Sequence, residues 1–283
     1  TLGVLLQKLE PTWSIALYES LDQAGLESSD PWNNAGTGHA ALCELNYSPM
    51  DKNGRVDVTK ALGINEQFWT TRQFWSSLVA DGTLKDPKSF INPLPHMSFV
   101  WGDAHADYLR TRYEAMSAQP LFAGMEHSED PEQIRAWAPL LIEGRTDGQR
   151  LAASRQTNGT DVDFGSLTRQ LVTAMAGAGA DVRFIKTSRA LAELAGGHAG
   201  QVRGEDHRAE HGRELDEAAV AQAVERFGGI DVCVNNASAI NLAPTEQLEP
   251  KRYDLMQDIN TRGTFMLSRA ALPHLLKADN PHI

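Results

Sequence analysis

The sequence predicts a mixed α/β and α+β protein, with partial α/β units at both ends and a further sheet between them. Three observations support this fold class. Residues 1–19 alternate from helix to strand, several helix and strand patterns follow up to residue 185, and the alternation restarts after a polar stretch over 196–213. The expected organisation is therefore a front part over 1–195, a linker over 196–213 and a back part over 214–283.

The first elements form half of a nucleotide-binding unit. Helically spaced apolar residues predict a helix over 1–9, and Pro11 ends it because proline lacks the amide that a helix needs. A short apolar strand over 15–18 follows and ends at Glu19. Helix, turn, strand and acid make up the second half of a dinucleotide-binding βαβ unit, in which the acid binds ribose hydroxyls. Glu19 is thus a candidate cofactor residue, and a surface glutamate after a strand is the alternative.

The first strand and the glycine-rich turn of such a unit are not among these 283 residues. We therefore expect the strand over 15–18 to lack its central neighbour, and we expect weakened cofactor binding.

The later elements follow from the spacing of apolar residues. Helices are predicted over 64–80, 104–116, 165–176 and 214–227, and strands over 97–101, 182–185 and 230–234. The linker over 196–213 is rich in glycine, histidine, arginine and glutamate.

Composition excludes several classes of protein. The net charge of -11 argues against a nucleic-acid partner. No apolar run reaches the roughly 18 residues of a membrane-spanning helix, and no signal peptide is visible. The two cysteines lack metal-ligand spacing and fit a reducing compartment, so no metal is expected. These features predict a cytoplasmic protein.

The segment over 28–42 (SSDPWNNAGTGHAAL) carries the first cofactor signature. Its glycines and small residues let backbone amides approach a diphosphate, and its asparagines can hold loops or ligand oxygens. The candidate cofactor residues are Asn33, Asn34, Ala35, Gly36, Thr37, Gly38 and His39. A glycine-bearing loop capped by asparagines is the simpler reading, since short glycine patterns are weak evidence by themselves.

The order of this and later motifs resembles the malate:quinone oxidoreductase family, from residue 1 to about residue 190. The further motifs are RQFW (72–75), SFIN (89–92), PHMSFVWG (95–102), WAPL (137–140), GTDVDFG (159–165) and LTRQL (167–171). The resemblance implies an FAD-dependent oxidation of malate to oxaloacetate, with electrons passed to a membrane quinone. It also implies peripheral contact with the inner face of the cytoplasmic membrane. Glu19 would bind the adenosine ribose and residues 33–39 would line the flavin.

Two histidines are candidate acid/base residues for that reaction. His96 lies in the strand region that the resemblance places on the substrate side, and His39 lies in the flavin loop. A histidine can take the hydroxyl proton of a 2-hydroxy acid as the hydride leaves. A structural role for His96, bonded to backbone, is an equal alternative.

The segment over 227–238 (FGGIDVCVNNAS) carries the second signature, and MQDINTRGT follows at 256–264. From about residue 215 to 283 the chain resembles short-chain dehydrogenases of the hydroxysteroid dehydrogenase-like type, which use NAD(P). The resemblance places Asn235, Asn236 and Ala237 beside the nicotinamide cofactor. It matches Asn260 to the asparagine of the catalytic tetrad, although a structural helix asparagine is the preferred reading.

The sequence lacks some of the cofactor-binding and catalytic motifs of each family. The glycine-rich loops, the second half of the flavoprotein and the catalytic serine and tyrosine of the dehydrogenase do not occur in this sequence. Three hypotheses therefore stand: an FAD-dependent malate:quinone oxidoreductase, an NAD(P)-dependent short-chain dehydrogenase, and an inactive chimeric or misassembled product. We expect impaired or absent activity, no NAD(P) binding, and Cys233 as a small buried core residue.

Overall fold

A computed structural model describes residues 1–19, 21–145, 148–184, 207–241 and 243–283, with the side chains of 207–215 left aside. The described residues form two compact units. Unit 1 comprises Thr1 and Gly25–Ala174, and unit 2 comprises Leu2–Ala24 and Met175–Ile283. Both units mix helices with strands, so the predicted fold class is confirmed.

The elements in chain order are α1 (Leu2–Leu9), β1 (Ala16–Glu19), α2 (Thr59–Ala80), β2 (Ile91–Pro93), β3 (His96–Trp101), α3 (Asp103–Ser117), β4 (Glu126–Ser128), α4 (Pro131–Trp137), β5 (Leu151–Gln156), β6 (Thr160–Val162), α5 (Phe164–Gly177), β7 (Asp181–Phe184), α6 (His207–Phe227), α7 (Pro250–Gln257) and α8 (Thr264–Leu275). A π-helical turn over Asp258–Gly263 joins α7 to α8.

Unit 1 is organised around an antiparallel sheet with the strand order β3-β5-β4. His96 pairs with Gln156 and Trp101 with Leu151 across the first ladder. The central strand β5 is buried on both faces, because Ala152 packs with the α3 side while Leu151 and Ala153 pack with the α4 side. This alternation follows the two-residue period of a strand. A second ladder pairs β2 with β6 and lies next to the candidate loop.

The predicted helices of unit 1 are confirmed, with earlier starts. The pattern predicts a helix from residue 64, whereas α2 begins at Thr59. The Asp57 carboxylate accepts a hydrogen bond of 2.9 Å from the Thr59 amide, which satisfies a donor of the first turn. Such a polar start lies outside the apolar spacing on which the prediction depends.

Unit 2 contains a parallel ladder between β1 and β7. Ala16 pairs with Asp181 and Glu19 with Phe184. The expectation that the strand over 15–18 lacks a neighbour is therefore wrong, because β7 pairs with it from a distant part of the sequence. Ile185, which the sequence assigns to this strand, lies outside the described residues.

The back part of unit 2 packs α6 against α8 around a small core of Val220, Cys233, Ala271 and Leu275. The buried position of Cys233 is as predicted. Helix α6 begins at His207, before the predicted residue 214. Residues 196–206 of the predicted linker lie outside the described residues.

The strand predicted over 230–234 is reduced to one parallel bridge between Val232 and His282. The Cys233 amide donates to the His282 carbonyl, and the His282 amide donates to the Asp231 carbonyl, each at 3.0 Å. A parallel strand needs neighbours along its edges to extend, and the described residues provide this segment with a single short one.

Candidate functional site

The asparagines of the first signature hold their own loop. Asn33 Nδ2 donates to the Glu27 carbonyl at 2.9 Å. Asn34 Nδ2 donates to the carbonyls of Ser28 and Asp30, at 3.0 and 2.8 Å, and its Oδ1 accepts from the Gly36 amide at 2.9 Å. These side-chain bonds stabilise the irregular loop locally, as short amide side chains commonly do in turns.

The glycines of the same loop allow close approach to β6. Gly36 has a φ of +64°, and a Cβ there would lie 3.0 Å from Asp161 Oδ1. A Cβ on Gly38 would overlap Thr160 Oγ1 and lie 2.6 Å from Phe68 Cζ. The Gly38 amide donates to the Thr160 carbonyl at 2.8 Å. The space that the missing side chains leave is therefore filled by protein atoms.

Thr37 extends the contact with β6 through an antiparallel bridge to Asp161. On the open side of the loop, Asn33, Ala35 and His39 are exposed, and so is Trp32. The loop thus presents one face to solvent while its other face is fixed to unit 1.

His96 is buried at the start of β3, with 5% of its surface exposed. Its Nε2 lies 3.0 Å from the Thr160 carbonyl, which can only accept, so Nε2 carries the proton. Nδ1 then faces the Cys43 thiol, which donates to it across 4.0 Å. Burial and the nearby Glu44 raise the pKa of Cys43 to about 11, so the thiol stays protonated.

His39 has the opposite environment. Its side chain is 59% exposed, and its Nδ1 lies 3.6 Å from Glu44 Oε1. The ring lies 6.5 Å from that of Tyr47 in a tilted arrangement. Sequence reasoning missed Glu44, although an acid five residues after a candidate histidine was visible in the sequence. The structure brings His39 next to a carboxylate and His96 next to a thiol.

Glu19 lies at the carboxyl end of the parallel strand β1 in unit 2. Its Oε1 accepts a hydrogen bond of 3.0 Å from the Leu21 amide, which orients the carboxylate. The carboxyl end of a parallel strand is where ribose-binding acids lie in dinucleotide folds.

The back signature is held in a similar way by its own side chains. Asn235 Nδ2 donates to Ser268 Oγ at 3.1 Å. Asn260 lies in the π-helical turn, where its Nδ2 donates to the Ala239 carbonyl and its Oδ1 accepts from the Ala239 amide, each at 2.8 Å. Both ends of the Asn260 amide are thus engaged with backbone, while Asn236 and Ala237 are exposed.

The residues fit an FAD group as a wall rather than as a phosphate-binding loop. The glycine spaces are occupied by β6, and the amides of Gly36 and Gly38 already have partners within the protein. The exposed face with Ala35 and His39 can lie against a flat ring, and Glu19 separately suits a ribose. Phosphate binding has no such support among the described residues.

A shallow cavity of about 460 Å³ lies elsewhere in unit 1, between α3, β4 and α4. Its lining residues are Tyr113, Met125, Glu126, His127, Ser128, Asp130, Gln133 and Trp137. None of them is a site residue predicted from the sequence.

Among the described residues, no helix is long and apolar enough to cross a membrane.

Comparison with known families matches two family descriptions to the chain. The family description "Malate:quinone oxidoreductase (Mqo)" matches residues 1–221, and "short chain dehydrogenase" matches residues 164–283. The two matches overlap within the chain, so the sequence passes from one similarity to the other between residues 164 and 221. Both resemblances seen in the sequence are thereby confirmed.

Among curated relatives, a protein of Micrococcus luteus named "Probable malate:quinone oxidoreductase" is 94% identical over 184 residues, which is 65% of this chain and 37% of that protein. A protein of the same name from Paenarthrobacter aurescens is 57% identical over 197 residues, covering 70% of this chain and 39% of that one. The chain therefore spans little more than a third of the length of these relatives.

Similar solved structures include a short chain dehydrogenase from Mycobacterium thermoresistibile, which is 38% identical with a TM-score of 0.29, over 40% of this chain and 33% of that one. Another is a 3-oxoacyl-[acyl-carrier protein] reductase from Brucella melitensis, which is 28% identical with a TM-score of 0.26, over 39% of this chain and 37% of that one. The similarity of the back part therefore rests on its sequence.

Proposed function

Because the chain belongs to the malate:quinone oxidoreductase family, we propose that its front part derives from an FAD-dependent site that oxidises malate to oxaloacetate and passes electrons to a quinone. In this proposal residues 33–39 line the flavin and Glu19 binds the adenosine ribose. The observation that carries the proposal is the loop fixed to β6 with an exposed face that includes His39.

Within this site, His39 is the better acid/base candidate. FAD would supply the hydride acceptor. Removal of hydride from a 2-hydroxy acid requires a base for the hydroxyl proton, and the base must be reachable by substrate. His39 is exposed and close to Glu44, whereas His96 is buried and uses its Nε2 proton on the Thr160 carbonyl. His96 accordingly supports the position of β6 beneath the loop.

We further propose that malate oxidation is impaired or absent in this polypeptide, as in a chimeric or misassembled product. The support is internal to the chain. Similarity to the first family gives way to similarity to a second family between residues 164 and 221, so the segment that follows in the relatives is replaced here. The family's site would have to form without that adjoining segment.

A quinone-reduction assay tests these proposals. The purified 283-residue polypeptide is supplied with FAD, malate and a soluble quinone analogue, and quinone reduction is followed. We expect no malate-dependent rate above that of FAD alone. A clear malate-dependent rate would contradict the absence of activity that we expect. In that case a His39→Asn variant would show whether His39 takes the proton, with His105→Asn as the control on an exposed histidine.

The second candidate function is that of an NAD(P)-dependent short-chain dehydrogenase. It is favoured by the paired hydrogen bonds between Asn260 and Ala239, which fix the segment after the Asn-Asn-Ala signature. NAD(P)H fluorescence measures binding directly, and we expect no enhancement on adding the polypeptide. Saturable enhancement would favour this second function.

A peripheral position at the inner face of the cytoplasmic membrane follows from the proposed quinone partner. The nearly fully exposed Trp32, next to the flavin loop, is the type of residue that enters a membrane interface. Co-sedimentation with vesicles tests the contact, and loss of binding in Trp32→Ala, but not in Trp69→Ala, is the expected result.

A further inference from the structure

The segment over 40–48 is held through its carbonyl groups. Side chains donate to the backbone oxygens of Ala40, Ala41, Leu42, Cys43, Leu45 and Ser48. These donors belong to α2, α3 and β3, so three separate elements hold one irregular segment. Buried carbonyls outside regular structure need such partners.

Arg112 is the central donor. It is fully buried on α3, and its Nη2 lies 3.4 Å from the Ala41 carbonyl and 3.3 Å from the Leu42 carbonyl. Its Nε donates to Ser48 Oγ at 2.8 Å. Burial lowers the pKa of this guanidinium, because the charged form loses hydration. Because this guanidinium donates to backbone oxygens, it fixes the backbone geometry of the segment.

The other donors complete the arrangement. Asn65 is 1% exposed on α2, and its Nδ2 donates to the Ala40 carbonyl at 2.7 Å. The Tyr108 hydroxyl on α3 lies 2.9 Å from the carbonyls of both Leu45 and Ser48, which share its single proton. Ser98 on β3 donates to the Cys43 carbonyl at 2.9 Å.

The backbone of the segment is strained where these bonds converge. Ala41 has a φ of +56°, and it is the one non-glycine residue with positive φ in the described part of the chain. It is also fully buried. A residue with a Cβ stays in this conformation only when its surroundings impose it, and such strain is concentrated at functional sites.

We propose that Arg112, assisted by Asn65 and Tyr108, is a positioning residue that fixes segment 40–48 and thereby sets His39 and Glu44 in place. His39 immediately precedes the held segment, and Glu44 lies within it. The functional meaning of this arrangement rests on the proposed flavin site. Its physical content, local immobilisation of the segment by a buried guanidinium, is independent of any cofactor.

Hydrogen–deuterium exchange read by mass spectrometry tests the proposal on the 283-residue polypeptide. Arg112→Met keeps a long apolar stem and removes every donor, so we expect at least tenfold faster exchange in peptides covering 36–48. Peptides covering 96–101 and 151–156 should be unchanged. Arg112→Lys should restore part of the protection, because one cationic donor remains. Arg110→Met on the same helix, which removes an exposed ion pair with Glu129, should leave 36–48 unchanged.

Two outcomes would overturn the proposal: unchanged exchange over 36–48 in Arg112→Met, or an equal increase across the sheet, which would indicate a general loss of stability. Should Arg112→Met fail to fold, Tyr108→Phe decides the matter, because it removes the hydroxyl that the Leu45 and Ser48 carbonyls share and keeps the ring. Faster exchange confined to 44–48 supports the proposal, and unchanged exchange there overturns it.

Excess added FAD, which a weakened site can bind even though it does not copurify, separates this inference from the proposed function. Protection of peptides covering 33–39 in the parent polypeptide would support the flavin site, and its weakening in Arg112→Met would connect the two. An absence of FAD protection together with the expected local exchange would count against the flavin site and leave the positioning role standing.

Discussion

Replacement of Gly38 by alanine tests the close packing of the candidate loop on β6. The new Cβ would overlap Thr160 Oγ1, lie 2.6 Å from Phe68 Cζ and approach the Thr160 carbonyl to 3.1 Å. Thr160 and Phe68 are both buried, so neither can move into solvent. Overpacking of this kind costs about 1–3 kcal/mol, and the upper part of that range is expected because backbone as well as side chain is in the way.

Urea unfolding followed by circular dichroism measures the effect. We expect Gly38→Ala to lower the free energy of unfolding by about 2–3 kcal/mol. Gly63→Ala is the matched control, because it lies within α2 with no atom within 4 Å of the new Cβ. That control should gain about 0.5–1 kcal/mol, the usual benefit of alanine over glycine inside a helix. A Gly38→Ala protein as stable as the parent would refute the close contact with β6.

Three further predictions concern charge and packing. Bonds from Arg150 lower the pKa of Glu129 to about 2, so its contribution to stability is present above about pH 4.5 and is lost as the pH falls towards 2; Glu129→Gln should flatten an acid-unfolding curve in that window. Burial raises the pKa of Asp216 to about 6, so stability falls as the pH rises from about 3.8 to 6; Asp216→Asn should raise the Tm at pH 7.5 and have no such effect at pH 3.5. Leu275→Ala should cost about 2–5 kcal/mol in urea unfolding because Leu275 is 2% exposed in the core of unit 2, whereas Leu276→Ala, at a position that is 75% exposed, should have little effect. The Glu129 assignment would be contradicted if Glu129→Gln and its parent differed in stability by the same amount at every pH. A change in Tm for Asp216→Asn that does not depend on pH would contradict the second assignment. Equal losses of stability in the two leucine variants would contradict the third.

Local sequence patterns predicted the elements whose signals are local. The sequence patterns of α3 and α5 and the mostly apolar run of β3 were sufficient to place them to within a residue or so. The pairing of β1 with β7 was not predictable in this way, because it joins residues 16–19 to residues 181–184 across most of unit 1. Parallel pairing leaves no turn signal in the sequence.

For the candidate loop, the sequence predicted the irregular structure but not what its residues contact. Its glycines and asparagines marked the loop correctly, and yet Gly38 packs against β6 and Asn34 holds its own turn. A glycine that approaches a ligand and one that approaches a strand look alike in a single sequence. The role of Arg112 was also hidden, since its partners lie some 70 positions earlier and its neighbours on α3 are mostly polar.

The flavin content of the purified polypeptide tests the central claim most directly. We propose that the chain retains residues that would line the flavin in a malate:quinone oxidoreductase site but lacks, among the described residues, support for the FAD phosphates, so that FAD does not stay bound. The account predicts an ultraviolet–visible spectrum without the flavin bands, since the described residues offer a wall and no support for the phosphates. A spectrum with one FAD per chain after purification would contradict it.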